Sequence, residues 1–516
     1  MPRAVKLFAI LVSVVALVLV TLLPPATRRT APPPPSTVRG AFHIHSNRSD
    51  GSGSVDAIAA AAARAGLQFI ILTDHGDGTR APDAAAYRHG VLTIDGVELN
   101  TTSGHYAVIG MPASPYPIAG TPDDVVEDVH RLGGFGIAAH PGSPRPSLSW
   151  QGWDSAFDGL EWINGDSEWR DEPRLTIART LLTYPIRAPQ SLATLLDRPE
   201  RVLARWDALG ATRKIVGLAG IDAHARFGFS QGTDPDVGSI HVRVPGYEAS
   251  FRTFSNHVLL DAPLSGDASA DASAVTDAIR TGRVYGVVDA FASPGGLSFV
   301  ATSGARSARM GDDIRIEGDV LLRASANAPP GTTLVLLRNG QRVHDVTDGR
   351  LEINAGTDVG VYRIEAYTTG AAGGPTMPWM VSNPIYVGVE RLATVGHTAL
   401  TARIPARTTE AATESGPNDS SRIDVGPPED ARDRTFAGAP AIEWSFGLSP
   451  GQPVGQFAAV PIPVSPGLEA FDAVQFRVSS PQPVARGRNS ARRSAPPSDG
   501  AQRFMLIRNR VWSPFR

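Results

Sequence analysis

The sequence predicts an α/β domain, built as a barrel or a parallel sheet, followed by a β-sandwich and a partial third module rich in β-structure. Three observations carry this reading. From Gly40 to about Tyr285, short apolar runs alternate with helical stretches at the spacing of strand–helix units. Polar residues fall at the C-terminal ends of those runs, where barrel enzymes gather their sites, and this favours the barrel. From about Gly296 the rhythm becomes all-β, and 516 residues are enough for about three domains.

The chain opens on Leu7 to Leu23, apolar at every position but Ser13 and Thr21, with Arg3 and Lys6 ahead of it. As a helix this run would reach about 25 Å, the lower limit of a bilayer span. It exceeds the usual core of a secretory signal, about 7–15 residues. Pro24-Pro25, Arg28-Arg29 and Pro32 to Pro35 follow, with no clear small-x-small cleavage site. Residues 1–39 are therefore expected to form an uncleaved signal anchor, a transmembrane helix, and a stiff proline spacer. A cleaved secretory signal is the alternative, and either would carry the rest of the chain out of the cytoplasm. Arg3 and Lys6 would stay on the cytoplasmic side, although Arg28 and Arg29 work against that orientation.

Within residues 40–290 the expected strands are Ala41–His45, Gln68–Asp74, Gly90–Glu98, Tyr106–Gly110, Phe135–His140, Gly159–Ile163 and Ile215–Asp222. The expected helices are Val55–Ala65, Pro122–Arg131, Glu172–Leu182 and Leu192–Asp207. In the sandwich, residues 296–388, strands are expected at Asp319–Ser325, Thr333–Arg338, Gln341–Val343, Val361–Thr368 and Ile385–Val387, with Asn339-Gly340 as a tight hairpin turn. Residues 408–435 are polar and poor in large apolar side chains, and read as a disordered linker. Residues 436–478 hold Trp444, Phe446, Phe457, Phe471 and Phe476 and read as a partial β-rich module. Past Ser479 eight arginines face one acid, Asp499, and residues 479–516 are expected to be an unstructured tail.

Composition narrows the chemistry. A formal charge of −3 argues against a nucleic-acid partner. The absence of cysteine excludes disulfides, thiolate zinc sites, iron–sulfur clusters and cysteine nucleophiles. Lys6 and Lys214 are the only lysines, which removes most Schiff-base and P-loop lysine chemistry. Any metal must be held by His, Asp and Glu.

Those residue types recur at the strand ends. His43-Ile44-His45 repeats an imidazole every second residue, so both lie on one face of a strand. Asp50 follows in a turn, and Asp74-His75 follows the run Phe69 to Leu72. Glu98 ends another run, with His105 after a short polar loop; His140 ends the next, and Asp222-Ala223-His224 repeats the alternate spacing. One histidine after a strand is an ordinary loop residue. Nine candidate ligands at successive strand ends are not, because their convergence without metal would bury repelling carboxylates and unpaired imidazoles. Imidazoles and carboxylates without thiolates suit Zn²⁺, Mn²⁺ or Fe²⁺, and nine of them suit two or three divalent ions.

The order Phe-His-Ile-His, Ser-Asp-Gly, Leu-Thr-Asp-His, Gly-x-Glu, Ala-His-Pro and Asp-x-His resembles the motif set of the PHP (polymerase and histidinol phosphatase) superfamily, over residues 40 to about 290. The sandwich ending in Pro378-Trp379-Met380-Val381-Ser382-Asn383-Pro384-Ile385-Tyr386-Val387 looks like the CehA/McbA branch. This resemblance implies a distorted (β/α)7 barrel with a trinuclear site. It would place His43, His45, Glu98 and Asp222 on the first metal, Glu98, His105 and His140 on the second, and Asp50, His75 and His224 on the third. Asp50 stands where several family members have histidine, which would make the third site weaker or give it a harder metal. Asp74 would orient a neighbouring imidazole through its free N–H.

The implied reaction is metal-assisted hydrolysis by a hydroxide bridging two ions, on a small-molecule ester. A phosphoester is the first choice, because several cations match its spread charge, and Arg145, Arg170 and Arg226 are candidate phosphate contacts. A carbamate, carboxylic ester or amide substrate is the second choice. A non-catalytic envelope-binding protein that keeps its metals is the reading from a different class. Trp150, Trp153, Trp162 and Trp169 read either as an aromatic pocket wall or as core.

Overall fold

The computed structural model describes residues 21–389, except 226, 229–240, 243, 348 and 372–375, and beyond 413 only short strands. The chain divides into two compact units, Met1–Leu392 and Ala393–Arg516.

In the first unit eight strands form one ladder: β1 (Thr37–Ile44), β2 (Phe69–Leu72), β3 (Val91–Asp95), β4 (Val97–Thr101), β5 (Gly104–Ile109), β6 (Phe135–Ala138), β7 (Gly159–Asn164) and β8 (Val216–Ala223). β1 pairs in parallel with β2, and β2 with β3. β4 continues the line of β3 beyond Gly96 and pairs antiparallel with β5, which pairs antiparallel with β6. β6, β7, β8 and β1 then pair in parallel, so the ladder returns to its first strand. This departs from a repeat of seven strand–helix units. Gly96 breaks one expected strand in two, and a hairpin of Thr101 to Gly104 reverses the chain where a short polar loop was expected. Apolar side chains fill β2 and β6, buried at every position, as strands covered on both faces require.

The helices begin where their caps dictate. Ser54 caps α1 (Val55–Ala65) by accepting from the Ala57 amide, and Gly66 closes it in the left-handed region. Thr121 and Asp124 form a capping box on α2 (Pro122–Arg131). The expected helix at Glu172–Leu182 instead runs as α3 (Arg174–Ala193), through Pro185 and Pro189 with a kink at Arg187. The helix expected at Leu192–Asp207 is two pieces. α3 ends at Ala193, and α4 (Glu200–Gly210) starts after Pro199, which suits a helix start and not its middle.

Past the ladder, β9 (Ser255–Leu259) runs antiparallel to β1 and to β10 (Val284–Val287). A four-stranded sheet follows, of β11 (Leu297–Ser303), β12 (Arg306–Arg309), β13 (Val320–Ala326) and β16 (Arg350–Gly356). Facing strands are β14 (Thr333–Arg338), β15 (Gln341–Val346), β17 (Gly360–Tyr367), β18 (Met380–Ser382) and β19 (Ile385–Val387). Asn339 and Gly340, both at positive φ, make the hairpin turn between β14 and β15. β18 also pairs with β10, so this second sheet is hydrogen-bonded to the strands of the site-bearing region.

Residues 24–36 are not a free spacer. Arg28 and Arg29 pair with Ala292 and Ser293, the Thr27 hydroxyl donates to the Ala290 carbonyl at 2.9 Å, and Asn327 donates to the Pro32 carbonyl at 3.3 Å. The proline ring fixes φ but leaves neighbouring donors and acceptors free to pair. Most of the apolar run Leu7–Leu23 lies outside the described residues, and among those described no helix is long and apolar enough to cross a membrane.

The second unit is described only as antiparallel pairs. These are Glu414–Gly416 with Phe457–Ala459, Ile423–Val425 with Phe446–Leu448, Arg432–Phe436 with Ala439–Glu443, and Ala473–Ser479 with Gln502–Arg508. Strands thus fall within both the expected linker and the expected tail. In the tail, the apolar run Phe504-Met505-Leu506-Ile507 was masked by the arginines around it. The rest of these stretches lies outside the described residues.

Candidate metal centre

The nine candidate ligands converge at one end of the ladder. Glu98, at the start of β4, is buried at the centre. Its Oε2 lies 3.2 Å from His43 Nε2, 3.2 Å from His45 Nε2 and 3.4 Å from His75 Nδ1. Its Oε1 lies 2.9 Å from His105 Nδ1 and 3.0 Å from His140 Nε2. Five imidazoles therefore share one carboxylate. Asp222 Oδ1 lies 3.4 Å from His43 Nε2 and 3.3 Å from His45 Nε2. Asp50 completes the other side, 3.3 Å from His45 Nδ1, 3.7 Å from His75 Nε2 and 3.1 Å from His224 Nε2.

Four sets of these residues present one atom each within 4.8 Å of the others: His45, Asp50, His75 and His224; His43, Glu98 and His140; His43, His45 and Asp222; and His75, Glu98 and His105. The grouping differs from that implied by the resemblance: His140 falls with His43 and Glu98 and not with His105, and His75 falls with Glu98 and His105 as well as with Asp50 and His224. His45 faces two ways, Nε2 toward Asp222 and Glu98 and Nδ1 toward Asp50, so it belongs to two sets.

The backbone is bent to achieve this. His43, His140 and Asp222 all sit at positive φ, 66°, 34° and 50°. A non-glycine residue held there costs roughly 1–3 kcal/mol, which packing elsewhere must offset. At Gly51, a Cβ would lie 2.1 Å from the His45 carbonyl oxygen, so the turn carrying Asp50 can approach β1 only with glycine there.

The donor chemistry fits divalent cations. His43 Nε2 and His45 Nε2 lie 3.1 Å apart, a contact that needs a proton or a cation between them. His45 Nδ1 and His75 Nδ1 are buried without a well-formed hydrogen bond. Burial opposes the charging of Glu98, yet His43, His75, His105 and His140 outweigh it and hold its carboxyl well below the ordinary range. Burial likewise opposes protonation of His43, but Asp222, Glu161 and Glu98 outweigh it and raise the imidazole. His75 moves the other way, lowered chiefly by burial.

Asp74 does not orient an imidazole. Its carboxylate accepts from the Ser46 amide at 2.7 Å, the Ser46 hydroxyl at 2.6 Å and the Ser49 hydroxyl at 2.7 Å, which fixes the turn leading to Asp50. The imidazole-orienting acid is Glu161 on β7. Its Oε1 lies 2.6 Å from His43 Nδ1, and its Oε2 accepts from the His140 amide at 2.6 Å and from Asn164 Nδ2 at 2.8 Å. Asn164 Nδ2 also reaches Asp222 at 3.2 Å. A Cβ on Gly220 would sit 1.9 Å from Glu161 Oε1, so the acid has room only beside glycine. The signal for Glu161 was an acid inside the apolar run Gly159-Leu-Glu-Trp-Ile163.

Of the arginines singled out, Arg170 is engaged with Asp166 and stacks on Trp169, 4.7 Å from its ring centre. Arg145 is half-buried in the loop after His140, and Arg226 lies outside the described residues. Arg48 and Arg80 instead line a cleft of about 100 Å³ together with Asp74, His75 and Asp77. They were overlooked, although Arg48 stands two residues before Asp50. Trp150 and Trp162 are fully buried, Trp150 between Tyr106 and Phe157, so the core reading holds for both.

No family model matches this sequence. No curated protein matches it either. Among solved structures, it is similar to a two-domain protein from Bacteroides vulgatus described as containing a predicted PHP-like metal-dependent phosphoesterase: 14% identity and TM-score 0.31, over 70% of this chain and 99% of that one. A protein from Bifidobacterium adolescentis named as a candidate metal-dependent phosphoesterase is 14% identical, with TM-score 0.25, over 39% of this chain and 89% of its own. An amidohydrolase from Chromobacterium violaceum, solved with sulfate and no metal, is 16% identical, with TM-score 0.23, over 40% and 92%. These likenesses are distant.

Proposed function

We propose that this chain is a metal-dependent hydrolase of the PHP superfamily, in its CehA/McbA-like branch, with phosphoesters as its first substrate class. One observation carries the reading: five imidazoles meet the two oxygens of the buried Glu98, with Asp50 and Asp222 closing the cluster on either side. All nine residues would take part in holding two or three ions, of zinc, manganese or iron. Bound ions of this kind lower the pKa of water from about 15.7 toward 7 and neutralise charge developing on the substrate. Glu161 and Asn164 keep His43 and Asp222 aimed inward, and the Ser46–Asp74 contacts hold Asp50 in place. Arg48 and Arg80 line the cleft beside His75, but both are paired with Asp83 and Asp95, so an anionic substrate group would have to compete with those acids for them. Leu7–Leu23 would anchor the protein with its catalytic unit outside the cytoplasm.

Elemental analysis of the purified full chain, beside His45→Ala and Asp222→Ala, tests the metal assignment. Both variants are expected to lose bound metal, and unchanged content in both overturns the ligand set. Turnover of bis(p-nitrophenyl) phosphate, p-nitrophenyl acetate and a naphthyl carbamate with added Mn²⁺ or Zn²⁺ tests the substrate class. Phosphodiester turnover is expected to dominate; carbamate turnover alone would replace the phosphoester reading.

A further inference from the structure

α3 is amphipathic the wrong way round. It buries Thr180, Thr183, Ser191 and Ala193, with Thr180 meeting Thr194 at 3.0 Å and Thr183 meeting Ser191 at 2.8 Å. Its apolar side chains face out, with Leu175 82% exposed, Leu181 50%, Leu182 51% and Ile186 56%. A helix on a water-facing surface ordinarily reverses this arrangement. Leu175, Arg179, Leu182 and Ile186 are spaced i, i+4, i+7 and i+11, one stripe along the helix. Arg174, Arg179 and Arg187 are its charged residues, and it carries no acid; Asp171 and Glu172 precede its first turn.

The same stripe receives the end of the apolar N-terminal run. Arg179, in the middle of the stripe, donates from Nη2 to the Leu22 carbonyl at 3.0 Å and from Nε at 3.2 Å. Arg187 donates to the Pro24 carbonyl, and Gln190 to the Thr27 hydroxyl at 2.7 Å. Residues 27–32 are then pinned to the body of the unit. Little slack therefore separates Leu7–Leu23 from α3, and the exposed leucines lie where that run meets the protein. Three side chains of one stripe are too few to cover an apolar run of seventeen residues, so the run itself is not the natural occupant of this face.

We propose that α3 is a membrane-surface helix: Leu175, Leu182 and Ile186 enter the boundary between acyl chains and headgroups of the bilayer holding Leu7–Leu23, and Arg174 lies among anionic headgroups, while Arg179 and Arg187 tie the helix to the end of the run. Arg and Leu on one helix, with no acid and low overall hydrophobicity, suit a helix lying in the interface rather than crossing it. Helix and anchor together make a two-point attachment that fixes the orientation of the catalytic unit on the membrane. The proposal rests on the reading of Leu7–Leu23 as a membrane anchor and not on the hydrolase reading; a label on Val14→Cys, which reports the anchor by itself, tells the failure of one from the failure of the other.

The chain lacks cysteine, so single labels can be placed without background. The full chain would be reconstituted in nanodiscs of phosphatidylcholine and phosphatidylglycerol, with an environment-sensitive NBD label on Leu182→Cys or, as a control, on Val343→Cys. Val343 is an exposed apolar residue of the sandwich. The label at 182 is expected to shift to the blue and to be quenched at least twofold by lipids carrying a doxyl group on the acyl chain, while that at 343 is not. A label on Leu175→Cys should respond likewise and lose its quenching in a Leu182→Glu/Ile186→Glu background. A label at 182 as unquenched as that at 343 overturns the proposal. So does one that is blue-shifted but unquenched by lipid, since protein would then be covering the face.

Discussion

Two clusters of buried charge lie in the same unit and have opposite characters. Where strand β17 meets helix α4, Arg363 donates to both oxygens of Asp207 at 2.7 Å, reaches Glu365 and lies 5.6 Å from the Trp206 ring centre. Arg198 donates to the same oxygen of Glu365 at 2.9 Å and to its other oxygen at 3.3 Å. Two guanidiniums and two carboxylates close on each other. At the candidate metal centre, four acids, counting Glu161, face six imidazoles that are neutral unless protonated, and two imidazole nitrogens confront each other at 3.1 Å. The first cluster is complete as protein. The second is complete only with added positive charge, and this imbalance, more than burial or charge as such, separates a binding site from a structural clasp.

The sharpest way to break the comparison is Glu98→Ala. It removes the one group shared by five imidazoles, so bound metal should drop and turnover on any substrate found should fall by about a hundredfold or more. Because the site is not a self-contained clasp, the melting temperature of the metal-free protein should move less than in the variant considered next. Asp207→Ala should do the reverse. It leaves Arg363 in the interior with Glu365 alone, at a cost of about 3–5 kcal/mol in denaturant titration, while activity per folded molecule stays the same. Loss of activity without loss of stability in Asp207→Ala would show that the seam serves the site and would collapse the distinction.

Glu161→Gln sharpens it further. Glutamine keeps one acceptor, so the His43 ring stays oriented, but the negative charge behind it is lost. Metal affinity measured calorimetrically should weaken about 10–100-fold. An affinity equal to that of the parent would mean that Glu161 only braces the His140 backbone.

The members of the cluster could be picked out as candidate ligands from the sequence because most of them stand at or just after the end of an apolar run, where a strand end announces itself by a change from apolar to polar residues; Asp50, in a turn, and His105, after a polar loop, were candidates only through their neighbours. α1, α2 and the Asn339-Gly340 turn were legible for a similar reason, since caps and turn residues are local signals. Glu161 was passed over, although an acid inside an apolar run marks it, because its role depends on Gly220, some sixty residues away, which no local pattern reveals. The reversal at β4–β5 could have been read, since the few residues between the two runs are too short for a parallel crossover, which takes a dozen or more. The outward leucines of α3 read as an ordinary amphipathic helix until the structure showed which face is buried.

The smallest expected effect concerns a histidine that belongs to neither cluster. His257 on β9 is fully buried, both its nitrogens lack a hydrogen-bond partner, and the Tyr285 ring lies 5.1 Å away. Burial, reinforced by Arg39, holds its pKa well below the ordinary value, opposite to His43, where carboxylates win. The sign follows from proton counting. Below about pH 6.5 the unfolded chain protonates this imidazole and the folded chain does not, so its contribution is intact above that pH and is lost as pH falls toward the folded pKa. His257→Phe removes the titration. Its stability relative to the parent should rise by up to about 1.4 kcal/mol per pH unit below 6.5, and stay constant above it. The comparison should be made between pH 7.5 and 5.5 in chelator, so that metal release at the site adds nothing to the difference. A gap between variant and parent that stays constant across that range would mean that His257 accepts its proton in the folded state. A buried imidazole would then charge without a carboxylate beside it, and the contrast with His43 would fail at its simplest point.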